Sequence, residues 1–114
     1  MDPQRRRWKR HKVDIRVRLR RWEEPEEAAM VVRTYELSEG GMSVYASEAL
    51  DVGTVLLVEF TPSTASKALR LKAVVRNRRG FRFGMEFPEL SLIERSELKR
   101  YLAIVEGVVD ILET

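Results

Sequence analysis

The chain has 114 residues, 44% hydrophobic and 34% charged with a formal net charge of +3, which fits one small domain and excludes a disordered segment. Because it contains no cysteine, a disulfide framework, a thiolate metal site and a cysteine nucleophile are all excluded. No apolar run approaches the roughly 20 residues of a membrane span or follows the basic N-terminus as in a secretory signal, so we expect a cytoplasmic protein.

The first element in chain order is a strongly basic segment. Residues 1–22 hold ten Lys and Arg against two acids, whereas residues 23–114 hold more acids than bases. Residues 1–12 lack apolar periodicity, so we predict a basic loop there, within a single domain whose folded body spans 13–114. The split in charge indicates an anionic partner that meets the N-terminal segment.

Six short strands follow the basic loop. From Val13 to Arg20 apolar and polar residues alternate, which predicts a half-buried strand. An acidic turn around Pro25 ends it. Five more strands are predicted over residues 28–38, 42–47, 55–61, 68–77 and 81–87, separated by short turns or loops. This spacing predicts a mainly all-β fold, a small six-stranded antiparallel β-barrel.

The period of the apolar residues changes near the C-terminus. Ser91 and Glu94 have the spacing of a capping box, which predicts a helix beginning there. The next apolar positions recur in helical steps: Leu98, Leu102, Val105, Val109 and Leu112. We predict an α-helix over about residues 91–112 that packs on the barrel, with Gly107 ending or weakening it. Helix-mediated dimerisation is the alternative use of this apolar stripe.

Two short motifs lie within this pattern. The first is "RRWKR" (residues 6–10) in the basic loop, and the second is "ELSEGG" (residues 36–41) between the second and third strands. Together with the strand "FGMEF" (residues 83–87), they resemble the PilZ domain family, bacterial domains that bind the second messenger cyclic di-GMP. That family has RxxxR in an N-terminal loop and [D/N]xSxxG in a turn between early strands. The resemblance covers the chain from residue 5 through the C-terminal helix.

The resemblance implies which residues bind cyclic di-GMP. The main candidates are Arg6, Arg10, Glu36, Ser38 and Gly41. Secondary candidates for the same site are Arg5, Arg7, Trp8 and Gly40. Glu36 departs from the family pattern, because it stands where Asp or Asn is expected and adds one methylene. We therefore expect weakened or altered binding rather than certain loss.

The chemistry of these residue types fits a ligand with two phosphates and two guanines. A guanidinium pairs bidentately with phosphate or with guanine O6 and N7, and it stacks on a purine face. A carboxylate at position 36 can accept hydrogen bonds from guanine N1–H and N2–H, while the Ser38 hydroxyl can serve phosphate or base. Gly41, which lacks a Cβ, permits a positive φ and a close approach of the backbone to the ligand.

Several of these residues also have an alternative explanation that involves no specific ligand. The alternative for the arginines is a solvated polyanion-binding tail, for Trp8 packing of the loop on the barrel, and for Gly40 and Gly41 a simple hairpin turn. His11 has no metal-ligand set at the right spacing, so no metal site is expected. Ser38 has neither the base nor the sequence context of a nucleophile.

We therefore expect a non-catalytic receptor for cyclic di-GMP that uses no cofactor and transmits ligand binding to a partner protein. In this hypothesis the ligand orders the arginine loop against residues 36–41 and alters a surface offered to the partner. One alternative, favoured by Glu36, is a degenerate PilZ-like adaptor that no longer binds nucleotide. A basic nucleic-acid-binding barrel is less favoured, because the aromatic residues are few and not grouped on one strand. No catalytic constellation is present, so an enzyme is not expected.

Overall fold

The computed structural model describes residues 8–61 and 67–113, with side chains described as far as residue 106. Six antiparallel strands close into a barrel in the order β1-β2-β3-β6-β5-β4. The elements are β1 (His11–Arg21), β2 (Met30–Leu37), β3 (Gly41–Tyr45), β4 (Val55–Phe60), β5 (Leu69–Arg79), β6 (Arg82–Glu86) and helix α1 (Leu92–Glu113). The predicted six-stranded antiparallel β-barrel with a C-terminal helix is therefore confirmed.

The first two strands differ slightly from their predicted bounds. β1 begins at His11, before the alternating pattern starts, because His11 and Lys12 already pair with Leu37 and Glu36 of β2. β2 begins at Met30 rather than residue 28, because residues 26–28 form a short 3-10 turn. Pairing with β2 thus sets the start of β1, and a turn sets the start of β2. Hydropathy alone marks neither of them.

The barrel interior is filled by one cluster of apolar side chains that the alternating pattern directs inward. All six strands contribute, and fully enclosed members include Leu19, Leu37, Val44, Leu56, Leu71, Val75 and Phe83. Removing this apolar surface from water is the main stabilising contribution to such a fold. Since the core takes one face of each strand, the outer face is left for polar residues and ligands.

Helix α1 begins with the predicted capping box. The Glu94 backbone N–H donates to Ser91 Oγ (3.0 Å), and the Ser91 N–H donates to Glu94 Oε1 (2.9 Å). Leu98, Tyr101 and Leu102 are buried, and the helix lies against β1 and β5.

The helix does not end at Gly107. Its backbone continues to Glu113, which a glycine allows because it costs only about 1 kcal/mol in a helix interior. The side chains of Val109 and Leu112, predicted to continue the apolar stripe, lie outside those described. In the part of the chain that the structure covers, no helix is long and apolar enough to cross a membrane.

Irregular strand pairing shapes the outer face of the barrel. The register shifts between Thr34 and Glu36 in β2 and between Val75 and Asn77 in β5, as it does at β-bulges. Because side chains normally alternate between faces, an extra residue leaves two consecutive side chains on the same face. Arg76 and Asn77 accordingly are both exposed.

Candidate ligand-binding groove

A row of polar and small residues crosses the outer face of β2, β3, β6 and β5. Glu36 lies opposite Ser43, Ser43 lies opposite Gly84, and Gly84 lies opposite Asn77. Neighbouring strands are about 4.8 Å apart, so the row spans about 14 Å. Because Ser43 and Gly84 have short side chains, the centre of the row is a shallow floor between two polar ends.

This row forms the floor of a groove with a volume of about 190 Å³. Trp8, Arg10 and Ser38 line it on one side, and Arg76 and Glu86 line it on the other. Pockets that enclose a small molecule usually measure roughly 300–1,000 Å³. The described residues therefore provide an open face onto which a ligand can lie, rather than a closed pocket.

The segment that leads into β1 lies along one edge of the groove. The Trp8 ring packs on Gly40, where an added Cβ would lie 2.3 Å from Trp8 Cδ1. The Arg95 guanidinium of α1 lies 4.9 Å from the centroid of the same ring, in a cation–π contact. Trp8 thus has the packing role that was one of its two predicted roles, and it still lines the groove.

Arg10 pairs with Glu36 at one end of the groove floor. Arg10 Nη1 and Glu36 Oε1 are 3.6 Å apart, and the two side chains keep 49% and 29% of their surface exposed. The two sequence motifs therefore meet at this ion pair. Arg5, Arg6 and Arg7, the other arginines predicted to bind the ligand, lie outside the described residues.

Ser38 shapes the turn of the second motif. Its backbone N–H donates to the Gly41 carbonyl oxygen (2.9 Å), and its hydroxyl accepts from the Gly40 N–H (3.1 Å). The hydroxyl also lies 3.4 Å from the Gly41 carbonyl oxygen, and the residue is 9% exposed. These bonds give Ser38 a turn-forming role; its role as a ligand-binding hydroxyl stays a prediction.

Gly41 stands where a side chain does not fit. Among the described residues, a positive φ occurs only at Gly53 and Gly80, so Gly41 does not adopt the positive φ that a glycine permits, and the close approach of its backbone to a ligand stays a prediction. Instead, a Cβ on Gly41 would lie 2.0 Å from the carbonyl oxygen of Met85 on β6. The glycine lets β3 approach the β6 backbone closely. These two strands carry the centre of the groove floor.

The turn is also tied to helix α1. Glu39 Oε1 lies 3.5 Å from Arg95 Nη1 and 3.9 Å from Lys99 Nζ. Glu39 Oε1 and Arg95 Nη1 are buried, and within the described part of the chain they make no hydrogen bond. Their mutual attraction therefore offsets the hydration that both atoms lose. Arg95 therefore contacts both Trp8 and the turn.

A second tie joins the N-terminal segment to α1. Lys9 donates a hydrogen bond to Glu106, and His11 Nε2 lies 3.6 Å from Glu106 Oε2. The hydrogen bond from Lys9, followed by the Lys9 charge and a smaller contribution from His11, lowers the pKa of the Glu106 carboxyl from its usual value. The residues that flank Arg10 are thus held against the helix.

Sequence reasoning missed the contribution of β5 and β6. Arg76 Nη2 donates to Glu86 Oε1 at 3.4 Å, and the Asn77 amide lies directly over Gly84, where a Cβ would come within 2.6 Å of it. A signal was available, because the alternation of β5 fails at "VVRN" (residues 74–77), where two apolar residues precede two polar ones. Such a lapse is what a β-bulge produces, and bulges often re-aim side chains at sites.

The described part of the groove offers groups that can bind a ligand. It combines guanidinium and amide donors, carboxylate acceptors and a small-residue floor. Within the described ranges no group of three or more His, Cys, Asp or Glu is placed to hold a metal ion. Guanidinium groups of this kind can pair with phosphate or stack on a planar ring.

Solved structures with a similar fold include a PilZ domain and an inhibitor of motility. The PilZ domain of CeSA from a cellulose-synthesizing bacterium matches with a TM-score of 0.61 and 19% identity, over 88% of this chain and 97% of that one. The Bacillus subtilis inhibitor of motility (MotI/DgrA) matches with a TM-score of 0.64 and 19% identity, over 86% of this chain and 49% of that one. At such identities the likeness shows the fold alone. No curated protein matches the chain.

A family model described as the PilZ domain matches residues 4–103. The match includes both sequence motifs, all six strands and the first part of α1. The chain therefore belongs to the PilZ domain family, a family of cyclic di-GMP receptors.

Proposed function

We propose that this protein is itself a cyclic di-GMP receptor and that the nucleotide binds in the groove beside Arg10 and the turn of residues 36–41. The observation that carries the proposal is the placement of the Arg10–Glu36 pair at one end of a floor of small residues. Arg6, with Arg5 and Arg7, would approach from the segment that precedes Trp8. Membership of the family supports the choice of ligand.

The charges of the groove are compatible with a dianion. Its two carboxylates, Glu36 and Glu86, each have an arginine within 3.6 Å, Arg10 for the former and Arg76 for the latter. When a phosphate arrives, a guanidinium can exchange its carboxylate partner for the phosphate, which it binds bidentately. Glu36 is then free to accept hydrogen bonds from guanine N1–H and N2–H.

The proposed receptor passes the signal to a partner protein through α1. Arg95 of α1 contacts the Trp8 ring and Glu39, so it is joined both to the N-terminal segment and to the turn of residues 36–41. A ligand that displaces either contact changes how the helix is held on the barrel. Such a shift alters the surface that α1 presents to a partner protein, in keeping with order–disorder switching in other signalling domains.

Titration calorimetry with cyclic di-GMP tests the proposal. We expect micromolar-range binding by the wild type, a loss of at least about tenfold in Arg10→Ala, and a smaller loss in Ser38→Ala, whose hydroxyl supports the turn. Arg18→Ala is the matched control, because Arg18 lies on the outer face of β1, the strand that follows Arg10, but outside the groove; the change should leave the affinity unchanged.

Two outcomes would replace the proposal. Absence of heat at high ligand concentration would favour an adaptor that no longer binds nucleotide, an alternative that the Arg10–Glu36 ion pair supports because it already occupies both groups. Equal binding of single-stranded DNA, falling steeply with salt, would favour a nucleic-acid-binding barrel.

The Glu36→Asp variant tests the departure from the family pattern. Shortening the side chain by one methylene withdraws the carboxylate from Arg10 and restores the family's residue type. We therefore expect cyclic di-GMP to bind a few-fold more tightly to Glu36→Asp than to the wild type in the same calorimetric titration. Unchanged affinity would show that the extra methylene has no influence on the site.

A further inference from the structure

The bulge in β5 brings two side chains to the groove that a regular strand would separate. Val75 pairs with Met85 and Asn77 pairs with Gly84, so Arg76 is the inserted residue. Val75 is fully buried, whereas Arg76 and Asn77 both line the groove on the outer face. The backbone irregularity therefore places a guanidinium and an amide side by side at the end of the floor away from Glu36.

Gly84 makes room for this pair. A Cβ at Gly84 would lie 2.6 Å from both the Nδ2 and Oδ1 atoms of Asn77, so the amide rests on the bare backbone of β6. Ser43 lies next along the row, so the residues beside the amide have short side chains. A floor of short side chains next to a guanidinium and an amide, both planar groups, suits an aromatic base better than a phosphate, which is tetrahedral.

Arg76 is held but keeps most of its donors. Its one hydrogen bond to a described residue runs from Nη2 to Glu86 Oε1 at 3.4 Å, and its side chain is 39% exposed. A guanidinium has five N–H donors in a rigid fork. Glu86 therefore orients the fork beside the floor while leaving a pair of donors for a ligand.

We propose that Arg76 recognises a guanine base of the bound nucleotide and selects it over adenine. Guanine presents two acceptors, O6 and N7, on one edge, and these match two donors of the fork. Adenine presents N7 as an acceptor but N6–H₂ as a donor, which would face a donor of Arg76. The proposal rests on the proposed function, and it assigns base selection to β5, outside both sequence motifs.

Calorimetry with two ligands of equal charge tests the assignment. Cyclic di-GMP and cyclic di-AMP are titrated into the wild type, Arg76→Lys and the control Arg79→Lys. Lysine keeps the charge but lacks the fork, so Arg76→Lys should lose about tenfold in affinity for cyclic di-GMP and little for cyclic di-AMP. Arg79 lies on the same strand, is exposed and does not line the groove, so Arg79→Lys should match the wild type in both titrations.

The salt dependence separates base recognition from simple charge attraction. Because Arg76→Lys keeps the charge, its affinity should fall with salt in parallel with that of the wild type. Thermal unfolding of each variant verifies that the barrel is intact, and Asn77→Ala, which leaves Arg76 in place, should lower affinity for cyclic di-GMP by less than Arg76→Lys does.

The titrations distinguish a failure of the role of Arg76 from a failure of the proposed function. If the wild type prefers cyclic di-GMP and Arg76→Lys keeps that preference undiminished, the role of Arg76 is overturned while the proposed function stands. If the wild type binds neither nucleotide, the proposed function fails and the role of Arg76 fails with it. A preference that is lost in Arg76→Lys and kept in Arg79→Lys supports both.

Discussion

Two outer faces of the barrel are rich in arginine, but their cavities differ in size: about 190 Å³ for the groove and about 40 Å³ on the face of β1 and β4. On the face of β1 and β4, Arg20 donates to the Glu24 carbonyl oxygen (2.6 Å), and Arg70 of the adjoining β5 pairs with Glu59 (2.6 Å). Those guanidinium groups lie along regular strand pairs. On the groove face, Arg76 stands at a bulge, beside a floor that small residues leave open.

The larger of these two cavities therefore does not coincide with the denser arginine face. β1 alone carries arginines at positions 16, 18 and 20, all on its outer face, and they behave as a charged surface. The proposed site lies where an irregular register directs donors to one face and short side chains lie between them. Three sets of variants, taken from the largest expected effect to the smallest, test residues in and around the groove.

Two glycines of the groove should respond very differently to alanine. In Gly41→Ala the new methyl group meets the Met85 carbonyl oxygen at 2.0 Å, so the β3 and β6 backbones must separate. We expect a loss of about 1–3 kcal/mol or more in the free energy of unfolding, measured by urea denaturation. In Gly84→Ala the methyl meets only the movable Asn77 amide, so stability should change by less than about 1 kcal/mol while ligand affinity falls. Equal stability losses would contradict this distinction.

The ion pair that joins α1 to the turn should contribute more to stability than an ion pair on the face of β1 and β4. Arg95→Ala removes a partly buried pair with Glu39 and the contact with the Trp8 ring, and it should cost about 1–2 kcal/mol. Arg70→Ala removes a pair with Glu59 in which the arginine is 62% exposed, and it should cost less than about 1 kcal/mol.

Hydrogen exchange distinguishes the two arginines further. Arg95→Ala should speed amide exchange in the first turns of α1, since it releases the helix from the turn and from the N-terminal segment. Arg70→Ala should leave exchange in α1 unchanged. Protection of α1 that is the same in both variants would remove the support for signal transmission through the helix.

The smallest expected effect is a change with pH at the N-terminal segment. The pKa of Glu106 is lowered from its usual value of 4.5, mainly by the hydrogen bond from Lys9. A lowered pKa in the folded state means that this contact contributes fully above pH 4.5 and is lost as the pH falls through the folded value. Trp8 fluorescence in a Trp22→Phe background should therefore change in acid below pH 4.5.

The matched control for this titration is Glu106→Gln in the same Trp22→Phe background. Glutamine cannot ionise, so the Trp8 signal should lack the transition that the carboxyl produces. A transition of equal size in both proteins would show that another group, and not Glu106, controls the contact between the N-terminal segment and α1.

Much of the fold could be predicted because its signals are local. The alternation in β1 reports directly which side chains enter the core, and the Ser91–Glu94 capping box marks the start of α1 within one residue. Gly107 does not end the helix, because its intrinsic penalty of about 1 kcal/mol is modest; that it weakens the helix stays a prediction. The start of β1 at His11 depended on pairing with Leu37, distant in the chain, whereas the start of β2 at Met30 followed the short turn before it.

The candidate site shows the same contrast between local signals and contacts distant in the chain. Residues Arg10, Glu36 and Ser38 could be predicted because they belong to short motifs, and the structure brings them to one groove. Arg76 and Gly84 belong to no motif, and their nearness to Glu36 depends on the order β2-β3-β6-β5. No periodicity in the chain encodes that order, because it results from pairing between strands far apart in the sequence.

The sequence by itself determined the barrel, the terminal helix and the cationic character of the N-terminal segment, because these follow from hydrophobic periodicity, capping and charge within short windows. Only the tertiary structure decided that Gly41 serves strand contact rather than a positive φ, that Arg95 joins both motifs to α1, and that β5 takes part in the groove. Each of these depends on the register of strands or the packing of a helix on them, which arises from contacts that no local stretch contains.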